Sequence, residues 1–489
     1  MTGVALDRVM HALDAAGLLV ARHGSLPASI AGIADDTRRL QPGALFAAVR
    51  GSQSDGHAFL AAAAERGAIV AIVEDASRTD LPSLVVRDGR RAAAIAAAAF
   101  YNEPASALQI IGVTGTNGKT TTVSILRHLF DGAAERAASI GTLGVLVGSG
   151  GVPLAGGGGL TTPGPVELQR VLRALLDANV RTVAMEVSSH ALEQRRVEGV
   201  QFAAAVFTNL TRDHLDYHGT MDSYFAAKAR LVECLATDGV AVVNADDAVW
   251  DRLPHAPRRV TFGITAPGAD VSARDVRYKP RGSVWRVAVG DASAPVALPL
   301  IGDFNVANAL AAAAAAVALG QSLAVVAAHL AMVPQVPGRL ELLHEHPTVL
   351  RDYAHTPDAL ERALAAVRPF TAGRLIVVFG AGGDRDRGKR PVMGALAERG
   401  ADVAIVTSDN PRTEDPEQIL DDIECGMTGG NHLRIEDRRG AIAAALREAH
   451  ADDVILLAGK GHETYQVRGT TQQPFDEKEI VAGLTGAAR

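Results

Sequence analysis

Leu108-Gln109-Ile110-Ile111-Gly112-Val113-Thr114-Gly115-Thr116-Asn117-Gly118-Lys119-Thr120-Thr121-Thr122 is the stretch on which the fold turns. It begins as a short, almost unbroken apolar run, the pattern of a strand buried on both faces of a parallel sheet. Residues 108–113 are therefore expected as a strand and 120–130 as the helix that follows it. Between them lies a loop of glycines and hydroxyl residues ending on Lys119 and Thr120. Backbone N–H groups of such a loop, with the positive end of the next helix, make a cradle for phosphate oxygens. Lys119 would then reach the β/γ-phosphates and the Thr120 hydroxyl a magnesium ion. The strict pattern needs a glycine five residues before Gly118, where this chain has Val113. The loop is a shortened variant, and a glycine-rich turn with an incidental lysine is the plainer alternative.

Outward from this stretch, strand-then-helix patterns recur in both directions, which favours α/β architecture. Upstream, apolar runs at 69–73 and 84–86 alternate with alanine-rich helical segments. The run breaks at Asn102-Glu103-Pro104, because the residue before proline is pushed out of the helical region. Downstream, 182–185, 203–207 and 240–243 read as further strands, and 308–319 as an alanine-rich helix. The glycine-rich segment 148–159 is expected to be a mobile loop with no sheet or helix of its own. A second break falls at Val336-Pro337-Gly338. Beyond it, apolar strands at 348–351, 375–379, 403–407 and 454–457 are separated by helical segments, the spacing of a doubly wound sheet. The expected organisation is an α/β chain of three domains, 1–103, 104–336 and 337–489. The middle one would hold the P-loop sheet and the last a Rossmann-like doubly wound sheet.

Composition narrows the class. The 489 residues are 48% hydrophobic and 21% charged, which excludes wholesale disorder. A net charge of −7 argues against a nucleic-acid surface built on bulk positive charge. With 12 Phe, 6 Tyr and 2 Trp, an aromatic platform for single strands is not expected. Two cysteines, Cys234 and Cys425, supply neither a disulfide framework nor a cysteine zinc site, and read as free thiols. Asp7 and Asp14 interrupt the first helical pattern, so no signal peptide is visible. The longest apolar run, 309–319, falls short of the ~20 residues that span a bilayer. The expectation is a soluble cytoplasmic protein without membrane insertion or nucleic-acid partner.

Other segments carry chemistry. Met185-Glu186-Val187-Ser188-Ser189-His190 ends an apolar strand, and a carboxylate there suits a magnesium ligand, although glutamate after a buried strand is commonplace. Thr208 to His218 packs Asn209, Thr211, Arg212, Asp213, His214, Asp216 and Tyr217 behind another strand, which looks more like a site than a plain loop. A helix is expected over 221–235 with an apolar stripe of Phe225, Leu231, Val232 and Leu235, and Lys228 falls on that stripe. Lys228 is either a snorkelling lysine or a buried one with a depressed pKa. In the last block, strand ends run into Asp352-Tyr353-Ala354-His355, Gly380-Ala381-Gly382-Gly383-Asp384-Arg385, Asp409-Asn410-Pro411-Arg412 and Gly459-Lys460-Gly461-His462-Glu463. These lie on one edge of a parallel sheet, where ligands bind. Arg385 stands where a dinucleotide fingerprint needs its third glycine. Arginines and acids converging there suit a zwitterion instead.

Together, the strings from Gly112 to Thr122, Met185 to His190, Asp213 to Asp216, Asp352 to Asp358 and Gly459 to Glu463 resemble the Mur ligases over essentially the whole chain. Among them the resemblance is greatest to members that add the third residue of the peptidoglycan stem peptide. The resemblance implies an N-terminal domain for a UDP moiety, a central ATPase and a C-terminal Rossmann-like domain. It implies ATP-dependent amide formation on UDP-MurNAc-L-Ala-D-Glu through an acyl phosphate, with Mg²⁺. Gly115, Thr116, Asn117, Gly118, Lys119, Thr120 and Thr121 would hold ATP, with Asn305, Arg339 and Asp352 as further nucleotide contacts. Thr120 and Glu186 would bind one magnesium, and His214 and Lys228 would serve a second, Lys228 being carbamylated in the family. Lys119, Lys228, His214 and Glu186 would form the catalytic set. Thr161, Thr162, Ser188, Gln194 and Arg196 would contact the UDP-MurNAc-dipeptide, and Thr37, Gln53, Ser54 and Asp55 its uridine end. Asp409-Asn410-Pro411-Arg412, with Arg385, Gly459 and Glu463, resembles the form that takes meso-diaminopimelate. Arg412 can pair with that ligand's second carboxylate, whereas lysine would leave it unpaired. A lysine-adding ligase, a folylpolyglutamate synthetase-like ligase and a degenerate ATP-binding scaffold are the alternatives.

Overall fold

The computed structural model describes residues 3–51, 54–133, 135–157, 159–279 and 281–486. The chain forms two compact units, one of Met1–Ser272, Ala288–Ser293 and Asn308–His329, the other of Ala273–Val287, Ala294–Ala307 and Leu330–Arg489. The first contains two main sheets. Its N-terminal sheet runs in the order Leu19–His23, Ser83–Val86, Ala68–Val73, Ala44–Ala47, Gly32–Ala34. The first pair is antiparallel and the rest parallel. Helices Leu6–Ala15 and Gly89–Phe100 pack Val9, Leu13, Ala92, Ala93 and Ala96 with Leu45, Val70 and Ile72. The alternate strand residues Phe46, Ala71 and Val73 cluster with Leu60 and Ala63 of the helix Leu60–Glu65, as the period of two requires.

The central sheet of this unit follows the order Val152–Leu154, Gly144–Val147, Arg136–Gly141, Val180–Glu186, Gln109–Thr114, Phe202–Phe207, Leu235–Asn244, Arg258–Gly263. From Arg136–Gly141 to Arg258–Gly263 every neighbouring pair is parallel. The decisive strand, Gln109–Thr114, therefore has a parallel partner on each side and is buried along nearly all its length. From it the chain crosses past Val180–Glu186 to reach Arg136–Gly141; from Val180–Glu186 it crosses back to Phe202–Phe207. Two adjacent strands whose connections leave in opposite directions open a crevice at their carboxyl ends, where α/β sheets bind ligands. Glu186 and the 115–120 loop stand at those two ends.

The expected strands and the helix Lys119–Phe130 are all present within a residue or a few of their expected bounds. Two expectations are corrected. The segment 148–159 contains a strand, Val152–Leu154, paired antiparallel with Gly144–Val147. It is a three-residue edge strand with an exposed valine and a central proline, which an edge tolerates but a pattern search passes over. The helix expected over 221–235 is α-helical only over Met221–Ala229. It tightens into a 3₁₀ turn at Arg230–Cys234 and enters a strand at Leu235.

The second unit is built on a six-stranded sheet in the order Glu341–Glu345, Thr348–Asp352, Val454–Ala458, Leu375–Phe379, Val403–Val406, His432–Arg434. Only the first pair is antiparallel. Leu375–Phe379 alternates between two cores, which makes the sheet doubly wound. Leu375, Val377 and Phe379 join residues of helices Pro357–Val367, Lys389–Gly400 and Pro416–Glu424, while Ile376 and Val378 join those of Arg438–Glu448 and Glu477–Thr485. Among the described residues, no helix is long and apolar enough to cross a membrane.

Candidate active site

In the first unit, the strand Gln109–Thr114 delivers the chain into a loop whose backbone polar groups are largely spoken for. Thr116 N donates to Asn209 O (2.7 Å) and Asn117 N to Asn209 Oδ1 (3.0 Å). Thr208 Oγ1 and Asn209 Nδ2 both donate to Asn117 O, at 2.7 and 3.1 Å. Gly115 sits at φ +149°, and a Cβ there would run into Thr208 Oγ1, so the close approach of the two loops requires glycine. Lys119 Nζ curls back to donate to Gly115 O and Thr116 O, each at 2.9 Å. Lys228 Nζ donates to the same Gly115 O at 2.8 Å. Gly118 precedes the helix Lys119–Phe130, whose first turn buries Thr120 and Thr121.

Glu186 is buried at the end of its strand. Its Oε1 accepts from Thr142 N (2.8 Å) and its Oε2 from Thr142 Oγ1 (3.2 Å). Thr120 and Glu186 line one small recess with Ser124, Ser139 and Gly141. A hydroxyl and a carboxylate are the hard oxygen donors magnesium takes, and that ion keeps few protein ligands beside water and phosphate. The donor set therefore fits magnesium. Among the described residues, no group of three or more His, Cys, Asp or Glu is gathered for a metal.

From Glu186 a polar chain runs outward. Thr162 Oγ1 donates to Glu186 O (2.9 Å) and accepts from Ser188 N (3.0 Å). Ser188 caps the helix Ser189–Glu193, accepting from Ala191 N. Arg196 spans Thr162 O (3.0 Å) and Gln194 Oε1 (2.6 Å), and Gln194 Nε2 donates to Tyr217 OH (3.2 Å). Thr161 Oγ1 lies 3.4 Å from Thr142 Oγ1. The five residues expected on the sugar-peptide thus form one neighbourhood.

Lys228 takes the sharper of its two sequence readings. It is 1% exposed, lies 4.4 Å over the Tyr224 ring, and burial, with the Lys119 charge adding to it, pushes its ammonium well below the lysine range. Around it gathers a cluster the sequence did not single out as a unit. His190 lies 4.9 Å from His214, 4.2 Å from Tyr217 and 5.4 Å from His218, ring to ring, and His218 lies 5.2 Å from Tyr224. Burial pushes His190 down to about 4, with His214 and His218 reinforcing it, and lowers His214 and His218 as well. Tyr224 OH and Thr116 Oγ1 are 3.2 Å apart, tying the cluster to the loop. Packing of short helices brings these rings together, and the polar segment 208–218, with His190 upstream, was its sequence signal.

In the N-terminal sheet, Thr37 opens a 3₁₀ turn capped by Asp36, and Thr37 O accepts from Arg66 Nη1 (2.8 Å). Asp55 caps the turn Gly56–Phe59, its Oδ1 accepting from His57 N and pairing with His57 Nδ1 (2.7 Å), its Oδ2 accepting from Arg78 Nη1 (2.6 Å). These bonds hold the carboxyl far below the usual range. Ser54 O accepts from Gly51 N (2.8 Å). Gln53 lies outside the described residues.

The second unit gathers its expected residues at the carboxyl edge of the doubly wound sheet. Arg412 adopts a left-handed backbone (φ +54°) and donates from Nη1 to Gly383 O at 2.7 Å. Its N–H donates to Val467 O at 3.0 Å. Arg385 is exposed, and its Cγ and the Arg412 guanidinium flank the same glycine, Gly382. Asp409 is buried beside Gly459. Asn410 Nδ2 donates to Glu463 Oε2 at 2.9 Å, and buried Pro411 joins Asn410 to Arg412. Lys460, fully buried, donates to Asn410 Oδ1 (3.2 Å) and Glu463 Oε2 (3.1 Å). In the same unit, burial pushes Asp352 up to about 6 against the opposing pull of Arg339; its Oδ2 accepts from Leu340 N at 2.8 Å. Arg339 stacks 5.2 Å over Tyr353, and Asn305 Nδ2 donates to Ile301 O at 2.7 Å.

Three family models match this chain in sequence order. They are the Mur ligase family catalytic domain over residues 29–110, the Mur ligase middle domain over 113–316 and the Mur ligase glutamate ligase domain over 338–461. The chain belongs to the Mur ligase family. It is 46% identical over 470 residues to the UDP-N-acetylmuramoyl-L-alanyl-D-glutamate–2,6-diaminopimelate ligase of Geobacillus kaustophilus, covering 94% of this chain and 95% of that protein. The ligase of the same name from Synechococcus elongatus is 46% identical over 481 residues, with 94% and 95% covered. A solved structure of a ligase so named matches with a TM-score of 0.70 at 34% identity, covering 99% of each chain.

Proposed function

We propose that this Mur ligase adds meso-diaminopimelate to UDP-MurNAc-L-Ala-D-Glu, using ATP, in peptidoglycan precursor synthesis. The γ-phosphoryl group of ATP passes to the D-glutamate γ-carboxylate, giving an acyl phosphate and ADP. An amine of diaminopimelate attacks the acyl carbon, phosphate leaves, the attacking nitrogen loses a proton, and an amide remains. Residues 1–103 are assigned to the UDP end, 104–336 to ATP and 337–489 to the incoming amino acid.

Lys119 is assigned to the phosphates, where a fixed cation offsets the charge of two anions brought together. Thr116, Asn117, Thr120 and Thr121 belong to the same phosphate cradle. Thr120 and Glu186 would hold one magnesium ion and His214 and Lys228 a second, the ions supplying charge neutralisation on the transferring phosphoryl group. An amine has no oxygen to offer a hard cation. Addition of the neutral Lys228 amine to carbon dioxide, with loss of one proton, forms a carbamate that has two. The depressed ammonium of Lys228 supports that step. Asn305, Arg339 and Asp352 are assigned to the nucleotide. Thr161, Thr162, Ser188, Gln194 and Arg196 are assigned to the sugar-peptide, and Thr37, Ser54 and Asp55 to its uridine end. The Asp55 carboxylate is already engaged by His57 and Arg78.

One observation carries the choice of amino acid. Arg412 is held by its backbone and by Gly383 O beside Asp409, Asn410 and Glu463, so a guanidinium and two acids share one edge. That set matches a ligand with a second carboxylate and ammonium groups. ADP release by the full chain should need both UDP-MurNAc-L-Ala-D-Glu and diaminopimelate, with lysine a poor substitute. Equal kcat/KM for lysine would overturn the choice, and release indifferent to both substrates would overturn the ligase reading.

A further inference from the structure

Lys460 has no part in the mechanism above, yet it is among the largest side chains wholly removed from solvent. Burying an ammonium is unfavourable by several kcal/mol unless its charge and donors are met, and a well-packed apolar residue is often as good for stability. Its place is built by the backbone. Gly459 (φ +114°) and Gly461 (φ +54°) flank it just past the strand Val454–Ala458, and these left-handed turns send the lysine inward behind the pocket. There Nζ meets Asn410 Oδ1 at 3.2 Å, Glu463 Oε2 at 3.1 Å and Asp409 Oδ1 at 3.9 Å. The rings of Tyr465 and Phe475 lie 5.8 and 5.9 Å away.

The bonds form a closed set. Asn410 Oδ1 accepts from Lys460 and from Val467 N at 2.9 Å, so the amide must face Lys460 with its oxygen. Its Nδ2 is thereby aimed at Glu463 Oε2, which takes Lys460 as its second donor. One carboxylate oxygen of Glu463 is pinned from two sides. Two acids, Asp409 and Glu463, lie against a single buried cation.

We infer that Lys460 is a positioning residue for the amino-acid pocket, fixing Asn410 and Glu463 so that the pocket recognises the ammonium groups of the acceptor without Lys460 touching it. This rests on the diaminopimelate reading above. The test is steady-state kinetics of the full chain, with each substrate varied in turn, for wild type, Lys460→Gln, Lys460→Met and Lys460→Arg. Loss of a charge-assisted hydrogen bond should raise KM for diaminopimelate about 10- to 100-fold in Lys460→Gln. KM for ATP and for the UDP-MurNAc-dipeptide should stay within about twofold, which a general loss of structure would not produce. Lys460→Met fills the same slot without a donor and should repeat the result if Lys460→Gln is insoluble. Lys460→Arg, keeping the cation, should recover most of the affinity. An unchanged KM for diaminopimelate in a folded neutral variant overturns the inference, as does a parallel rise in all three KM values. Failure of wild type to use diaminopimelate would instead overturn the underlying reading.

Discussion

Lys119 and Lys460 both follow a strand and a glycine in an α/β sheet, but they rest on different partners. In the phosphate loop, Lys119 donates to main-chain carbonyl oxygens, and Lys228 joins it on one of them. In the amino-acid pocket, Lys460 is held by an asparagine oxygen and a carboxylate. A carbonyl dipole holds an ammonium weakly. A carboxylate in a low-dielectric interior holds it strongly, so the cation on it stays and organises its neighbours. In these bonds one lysine meets main-chain dipoles, and the other meets a carboxylate.

The largest expected effect tests the first half of that contrast. Lys119→Ala should lower kcat/KM for ADP release by about 10²- to 10³-fold, the scale for removing one fixed charge donor from a reacting group. Diaminopimelate binding by calorimetry should be unaltered, and near-normal turnover would mean that the carbonyl-bound cation is a spectator. Next, Arg412→Ala should raise KM for diaminopimelate about 10- to 100-fold while leaving use of lysine unchanged. Equal losses for both acceptors would remove the arginine from the specificity argument. Smaller and purely structural, Gly115→Ala should destabilise the first unit by about 1–3 kcal/mol, read by thermal or urea unfolding. A side chain at φ +149° meets Thr208.

The smallest effect concerns a carboxyl placed between the two regimes. Asp352 is pushed up to about 6 by burial, with Arg339 and backbone N–H groups opposing. Against an unfolded value near 3.9, the native state binds more protons between about pH 4 and 6. The stability contributed by the protonated form is complete below that window and is lost as pH rises through it. Asp352→Asn should therefore gain on wild type in melting temperature from pH 4.5 to pH 7, by a few degrees. A constant difference between the two proteins across that range would count against the assignment.

Much of this was legible because it is local. The phosphate loop is one continuous string between a strand and a helix, so residue order and spatial order coincide from Leu108 to Thr122. The four strand ends of the second unit were legible for a related reason, since parallel strands deliver their carboxyl ends to one edge. What escaped depends on packing between segments. His190, Tyr217, His218 and Tyr224 become a cluster only when three short helices meet. The inward turn of Lys460 depends on two left-handed glycines, and a lysine in a glycine-rich turn ordinarily reads as exposed. The strand Val152–Leu154 is too short and too exposed to stand out among glycines. Asp55, expected at the uridine end, also caps a 3₁₀ turn and meets Arg78, partners that its own string does not announce.

The shared oxygen of Gly115 has a consequence for how the loop is held. A carbonyl has two lone pairs, and here each is met by a different lysine nitrogen. Both lysines close on the same peptide, so the turn after Gly115 is tied on one side to the helix that begins at Lys119 and on the other to the helix Met221–Ala229. One backbone oxygen thereby joins two helices that lie far apart in the chain.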